Sequence, residues 1–421
     1  VPQITPGLTF ASVNAKKILA LPTYALGALC SLVVPRRSGL WVFGSGPGVG
    51  EGALALYRHV ARTDSGRSLL WLARDEADRA VAESLGIPAV VKTSWRGLLS
   101  TLRAGVIVVT HGFGDANRYG TRGGFVVQLW HGIPLKLINL DSPATLRSRL
   151  LPNSRVVRGV LRRMYRTAAR AIDLMPAASE TSARRLRSAF DLPAERVVVT
   201  GDPRDDVLLA GSEASRTAAA RERLFTALGM EPRRDRVLLY APTWRDGDVD
   251  PGVPTESEWR AIADFLEAAD TLLVVRPHPH GVGDYARGFA MTDRIRLLGV
   301  ADCTDVTTVL DAVEVLITDY SSVAYDFALT GRPIAFFAPD VDRYTASRGL
   351  YVPYSTFSGS RETASWGELL DLLELLHTDP AMRKRLAEHS EALASLHHAH
   401  RDGRNTERVY SEIMTRLRDH R

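Results

Sequence analysis

Two adjacent serines, Ser321 and Ser322, close a polar turn within Val315–Pro333, which reads VLITDYSSVAYDFALTGRP. Val313–Ile317 reads as a strand, Thr318–Asp319–Tyr320–Ser321–Ser322 as the turn and Val323–Leu329 as a short helix. Gly331 and Pro333 then close the unit before a second apolar run, Ile334–Ala338. This is a β-α-β unit with two hydroxyls at the helix start. The first amides of a helix lack intrahelical acceptors and carry the positive end of its dipole, so Ser321 and Ser322 sit where a phosphate is held, with Asp319 beside them. Plain helix capping by serine accounts for the same pair.

Four further polar clusters follow apolar runs. In Gln128–Lys136 (QLWHGIPLK), His131 is locked between Trp130 and a Gly/Pro turn. A histidine there titrates near the working pH, as a general base requires, while a satisfied structural histidine is the competing reading. Arg276–Pro277–His278–Pro279–His280 comes directly after Leu272–Val275. Its prolines stiffen the loop, and a rigid Arg and His suit stabilisation of a phosphate in transfer. His278 and His280 make a poor metal pair because no third ligand of matching spacing accompanies them. Ala241–Pro242–Thr243–Trp244–Arg245 follows Val237–Tyr240, and Gly201–Asp202–Pro203–Arg204 follows Val197–Thr200.

These clusters need a scaffold that brings strand ends together. Leu40–Phe43, Ser68–Ala73, Ala89–Val91, Val106–Thr110, Phe125–Leu129, Ile172–Pro176 and Val197–Thr200 are short apolar runs separated by helical stretches. A second series comprises Val237–Tyr240, Leu272–Val275, Ile295–Leu298, Val313–Ile317 and Ile334–Phe337. Strands alternating with helices imply parallel sheets covered on both faces, an α/β class with two Rossmann-like domains facing a cleft. Ligands of such sheets bind beyond the carboxyl ends of the strands. The expected divisions are residues 1–38 as an apolar and basic segment, 39–207 as the N-terminal domain, 208–235 as a helical linker, 236–395 as the C-terminal domain and 396–421 as a final helix.

A length of 421 residues supports two domains, and 45% hydrophobic with 24% charged residues is a globular composition. The net charge of +5 comes from a basic side that is almost entirely arginine. It suits an anionic substrate or membrane surface, and no Lys/Arg block is dense enough to argue for nucleic acid. Cys30 and Cys303 lie far apart and form neither CxxC nor zinc spacing, so a reduced, cytosolic-side protein without a cleavable signal peptide is expected. Ile18–Pro35 is free of charge and flanked by Lys16, Lys17, Arg36 and Arg37. It falls short of the roughly 20 residues of a span. It reads either as a helix lying on anionic lipid or as a core helix of the first domain.

Three patterns carry less than they suggest. The glycines of Gly44–Gly52 (GSGPGVGEG) alternate and match neither GxGxxG nor a Walker loop, so the segment reads as a flexible strand-to-helix loop. Asp246–Gly247–Asp248 spells DxD, yet no carboxylate cage surrounds it in sequence, and metal-independent chemistry is expected with Mg2+ as the alternative. The run His397–His398–Ala399–His400 reads as a helix end more readily than as a metal site.

The order and wording of the clusters resemble the CDP-glycerol glycerophosphotransferase family of teichoic acid primases and polymerases. The resemblance runs from about Trp41 to Ile413. It rests on WHGIPLK with Asp141, GDPRDDVLL, APTWRD, RPHPH, TDYSSVAYDFALTGRPIAFFAPD, YTASRGLY and DGRNTER, with Ile133 standing where threonine is usual. It implies the two-domain GT-B architecture and transfer of a polyol-phosphate from a CDP-activated donor to a lipid-linked teichoic-acid-type or capsule polymer, with release of CMP. His131 is then the base and His278 a catalytic contact to the donor phosphate. Arg276, Thr243, Arg245, Asp319, Ser321 and Ser322 bind the donor, and Lys136, Asp141 and Arg204 bind the acceptor. A peripheral enzyme on the cytoplasmic face of an anionic membrane is expected, with homo-oligomerisation left open. A nucleotide-sugar glycosyltransferase, a hexose-phosphate capsule polymerase or a silent membrane-attached polymer-binding protein would use the same fold.

Overall fold

The computed structural model describes residues 21–143, 145–146, 154–232, 235–245, 248–278, 281 and 283–419. Lys16, Lys17, residues 18–20, Asp246, Gly247, Pro279 and His280 lie outside them. Among the described residues there are twelve strands: β1 Arg37–Gly44, β2 Ser68–Ala73, β3 Ala89–Val91, β4 Ala104–Val109, β5 Phe125–Gln128, β6 Met175–Ala177, β7 Val197–Val199, β8 Arg236–Ala241, β9 Thr271–Val275, β10 Ile295–Leu297, β11 Val315–Thr318 and β12 Ile334–Phe336. Each matches an apolar run read from the sequence. Strands buried on both faces need side chains of one kind throughout, which makes them legible without alternation.

Two compact units form. One comprises residues 21–133, Asn139–Ala210 and 398–419; the other comprises Pro134–Ile138 and Gly211–His397. The first contains a parallel sheet in the order β3-β2-β1-β4-β5, and β6 pairs with β7 alongside it. A parallel bridge between Val127 and Leu174 continues β5 towards β6. The second unit has the order β10-β9-β8-β11-β12, the same winding. The order reverses between β1 and β4 in one sheet and between β8 and β11 in the other. Ligands of doubly wound sheets bind at that reversal.

Around the first sheet, Trp41, Phe43, Leu56, Val60, Trp71 and Val108 form a core that also takes in Val409 and Ile413 from the last helix, Asn405–Asp419. That helix is capped from far away in sequence. The Asp206 carboxylate accepts from the amides of Asn405 and Thr406, both at 2.8 Å, and from the Thr406 hydroxyl at 2.6 Å. The preceding helix ends at His397, as expected, and His398 lies buried with Nδ1 3.1 Å from an Asp205 oxygen.

No helix among the described residues is long and apolar enough to cross a membrane. The first described helix, Leu21–Val33, leaves Leu26, Leu29, Leu32 and Val33 at least 60% exposed. Its other side packs closely: Tyr24 meets Tyr119 edge-on at 5.0 Å, and a Cβ at Gly27 would stand 2.2 Å from the Tyr119 carbonyl oxygen. Arg36, expected to face lipid, instead donates to the carbonyls of Thr101 at 3.0 Å, Ala104 at 2.6 Å and Gly120 at 2.9 Å. Burial pushes its pKa down to about 10. It therefore ties the start of β1 to neighbouring loops.

The distant cap gives a test of the first unit. Hydrogen bonds to a charged acceptor contribute about 1.5–3 kcal/mol each, so Asp206→Ala is expected to lower stability by about 2 kcal/mol or more in urea unfolding. A midpoint matching the parent would mean that the final helix docks through its apolar face alone.

Candidate active site

In the first unit the chain leaves β5 through a tight turn. Trp130 takes φ 65°, a left-handed conformation that costs a bulky residue energy, and Gly132 takes φ 126°. Between them, His131 turns Nδ1 towards the Thr110 carbonyl oxygen at 3.4 Å. Its ring stacks on that of His111, with centroids 3.9 Å apart and planes 6° from parallel. Arg204, expected to bind the acceptor, instead donates to the His131 carbonyl at 3.1 Å and lies 3.2 Å from an Asp202 oxygen. It is buried, and holding this turn is what its position allows. Asp141 accepts from the Ser188 hydroxyl at 2.8 Å in a short turn away from these contacts.

His111 lies two residues past β4, the strand that borders the order reversal on the same side as β5. Its Nδ1 is 2.9 Å from the Thr110 hydroxyl, which lies 3.0 Å from Ser45 Oγ, and Ser45 in turn donates to Glu51 at 2.7 Å. The Asp115 carboxylate takes the amides of Thr110 at 3.0 Å and His111 at 2.6 Å, which fixes the loop. Burial pushes the His111 pKa down, with Asp115 opposing and Arg204 adding to the effect. The glycine-rich segment is therefore not the free loop expected. Asp78 accepts from the Val49 amide at 3.0 Å, and a Cβ at Gly46 would stand 2.6 Å from the His111 ring, so glycine is required for the close approach.

Lys136 departs from the rest of its motif. Pro134–Ile138 belongs to the second unit, where Lys136 bridges to Leu350, Leu137 donates to the Gly349 carbonyl and Tyr351 donates to that of Leu135. The motif WHGIPLK is thus divided after Ile133, and its last part forms a short antiparallel pairing with the YTASRGLY segment.

In the second unit the order reversal gathers Thr243 and Arg245 after β8 with Asp319, Ser321 and Ser322 after β11. Arg245, expected to contact the donor, is buried between two carboxylates. Nη1 donates to Asp319 at 2.9 Å, and Nε and Nη2 take both oxygens of Asp340 at 2.9 and 2.8 Å. The guanidinium also lies 5.1 Å from the Tyr320 ring and 4.8 Å from that of Tyr344. Burial alone would lower its pKa, and the two carboxylates reverse this and raise it. Asp319 is likewise engaged, accepting from the amides of Thr243 at 2.9 Å and Tyr320 at 2.6 Å. Both residues form the frame of the turn.

What the frame leaves available is informative. Thr243 is 4% exposed, and its hydroxyl has no hydrogen-bond partner among the described residues. Buried hydroxyls are nearly always paired, so this one is open to a water or a ligand oxygen. Serines cap the helices beginning after Ser94, Ser179, Ser212 and Ser365 by accepting an amide hydrogen. Ser322 makes no such bond at the helix Val323–Ala328, and Ser321 accepts from Val323 only at 3.4 Å. His278 is exposed and stacks on Trp244 with centroids 5.7 Å apart, and the Arg348 guanidinium lies 5.0 Å from the Trp244 ring. Arg276 turns towards the carbonyls of Leu298 at 3.5 Å and Gly299 at 3.3 Å, and burial lowers its pKa. Asp248 pairs with Arg343 at 2.5 Å, and no group of three or more His, Cys, Asp or Glu among the described residues is placed to hold a metal.

Sequence reasoning overlooked His111, Glu51 and Arg348. Inspecting the residue after every apolar run would have found His111 beyond Val106–Thr110. Nothing local marks Glu51 or Arg348, whose partners come from other segments.

Removing one member of a buried ion network leaves uncompensated charge, at a cost of about 3–5 kcal/mol. Arg245→Met is expected to lose stability in that range by denaturant unfolding. Arg245→Lys should recover little, because an ammonium cannot meet two carboxylates in a planar fork. Either variant unfolding with the parent would show the network to be dispensable.

The chain is 27% identical over 240 residues to the teichoic acid ribitol-phosphate polymerase TarK of Staphylococcus aureus, covering 56% of this chain and 44% of that protein. It is 26% identical over 317 residues to a teichoic acid glycerol-phosphate transferase of the same species, covering 71% and 74%. Across four curated relatives the aligned part spans 30% to 56% of the relative's own length. Among solved structures, the wall teichoic acid polymerase TagF superposes with a TM-score of 0.73 at 20% identity, covering 98% of each chain, and so shares the fold. A family model matches residues 28–415. The chain therefore belongs to the CDP-glycerol:poly(glycerophosphate) glycerophosphotransferase family.

Proposed function

We propose that the protein transfers a glycerol- or ribitol-phosphate unit from a CDP-activated donor to a lipid-linked teichoic-acid-type acceptor and releases CMP. The observation that carries this reading is the setting of His131. With Nδ1 facing a backbone carbonyl, the proton belongs on that nitrogen and Nε2 keeps its lone pair. Nε2 takes the proton of the acceptor hydroxyl, the oxygen attacks the β-phosphorus of the donor, and CMP leaves. Phosphoryl transfer draws its rate mainly from positioning and charge stabilisation. Arg276 and His278 supply positive charge, and the hydroxyls of Thr243, Ser321 and Ser322 supply hydrogen bonds to the diphosphate. Arg245 and Asp319 hold that turn in place.

The chemistry needs no metal on this account, since the positive charge comes from side chains. Lys136 and Asp141 remain the groups assigned to the acceptor. The exposed face of Leu21–Val33 is the surface offered to an anionic membrane, on the cytoplasmic side where CDP-linked donors are found.

His131→Ala is expected to reduce turnover roughly 100-fold or more with little change in donor KM, because only the proton transfer is lost. Turnover near the parent value would make His131 structural. The parent enzyme assayed in excess EDTA should keep its rate, and loss with rescue by magnesium or manganese would return Asp246 and Asp248 to consideration.

A further inference from the structure

The stacked imidazoles have a consequence for the proton that His131 must carry. Two parallel rings 3.9 Å apart cannot both be charged without strong repulsion, so the pair carries at most one positive charge, one proton beyond the neutral rings, in the working range. The surroundings decide which ring takes it. His111 has Nδ1 engaged by the Thr110 hydroxyl, and that hydroxyl is linked through Ser45 to Glu51. The Glu51 carboxylate is 3.7 Å from the same Nδ1, Asp115 grips the His111 backbone, and Arg204 adds positive charge nearby. Burial and Arg204 outweigh Asp115 and leave the His111 pKa below the ordinary histidine value.

We infer that His111 is a positioning residue for the reaction: its neutral ring lies face-on to His131, fixes the plane of that imidazole and stabilises the imidazolium formed when the acceptor hydroxyl gives up its proton. The inference rests on the reading of His131 as the base. A cation above an aromatic face is stabilised by the ring quadrupole, and for partly exposed pairs the effect corresponds to about half a pH unit in the pKa of the cationic partner. His111 touches neither donor nor acceptor in this role. Gly46 belongs to the same device, because a side chain there would occupy the position of the His111 ring.

NMR titration of the His131 ring in the parent, His111→Ala and His111→Phe tests the stack without reference to catalysis. In His111→Ala the His131 pKa should fall by about half a unit, whereas His111→Phe, which keeps an aromatic face, should stay near the parent. Because a base of lower pKa is deprotonated sooner, the acid limb of kcat/KM should move to lower pH by the same amount in His111→Ala. Its kcat should fall several-fold with donor KM unchanged. An unmoved His131 titration in His111→Ala, or a Phe variant that behaves like the Ala variant, would overturn the inference. A shifted titration in an enzyme whose His131→Ala variant still turns over would instead leave the stack intact and remove the base assignment.

Discussion

In a parallel sheet every strand ends at the same edge, and the strand order must reverse somewhere for the sheet to grow in both directions. At that reversal the two central strands send their following loops to opposite faces, and a gap opens that side chains line but do not fill. Both sheets of this protein wind as third, second, first, fourth, fifth, so each offers one such place. Ser45, Glu51, Thr110 and His111 collect at the first, with His131 one strand further on. Thr243, Arg245 and the Asp319–Ser322 turn collect at the second. The chemistry proposed for the protein depends on this constraint more than on any single residue.

Each place is held open by buried charge. In the second unit Arg245 binds Asp319 and Asp340 and lies against Tyr320 and Tyr344, which fixes a turn that otherwise has only a six-residue helix behind it. In the first, Arg204 with Asp202 holds the His131 turn, and Asp115 holds His111. Ion networks of this kind contribute little net stability, and their value lies in having one arrangement. The hydroxyls they leave over, above all that of Thr243, are the groups free to meet a ligand.

The strands among the described residues could be read from sequence because most of them, such as β4, β9 and β11, are buried along most or all of their length and write themselves as apolar runs. The serines and histidines of interest could be read because they follow those runs. What stayed hidden depends on pairing across long separations. Arg245 was visible as a polar residue past β8, but only Asp340, 95 positions on, makes it part of a frame. Arg36 looked like a lipid contact because the carbonyls it meets, those of Thr101, Ala104, Gly120 and Arg122, carry no signal in their side chains. The division of WHGIPLK after Ile133 follows from the pairing of Lys136 with Leu350, which residue spacing cannot express. His111 is the exception, since the rule that found His131 applied to it equally.

The central claim is that the donor is a CDP-activated polyol and that its β-phosphorus is attacked. Product analysis tests it most directly: the purified protein is incubated with an acceptor analogue and, in separate reactions, CDP-glycerol, CDP-ribitol and UDP-sugars. The account predicts CMP together with an acceptor lengthened by a polyol-phosphate, and no product from the UDP-sugars. Release of UDP with transfer of a sugar, or no transfer from either CDP-polyol, would contradict it.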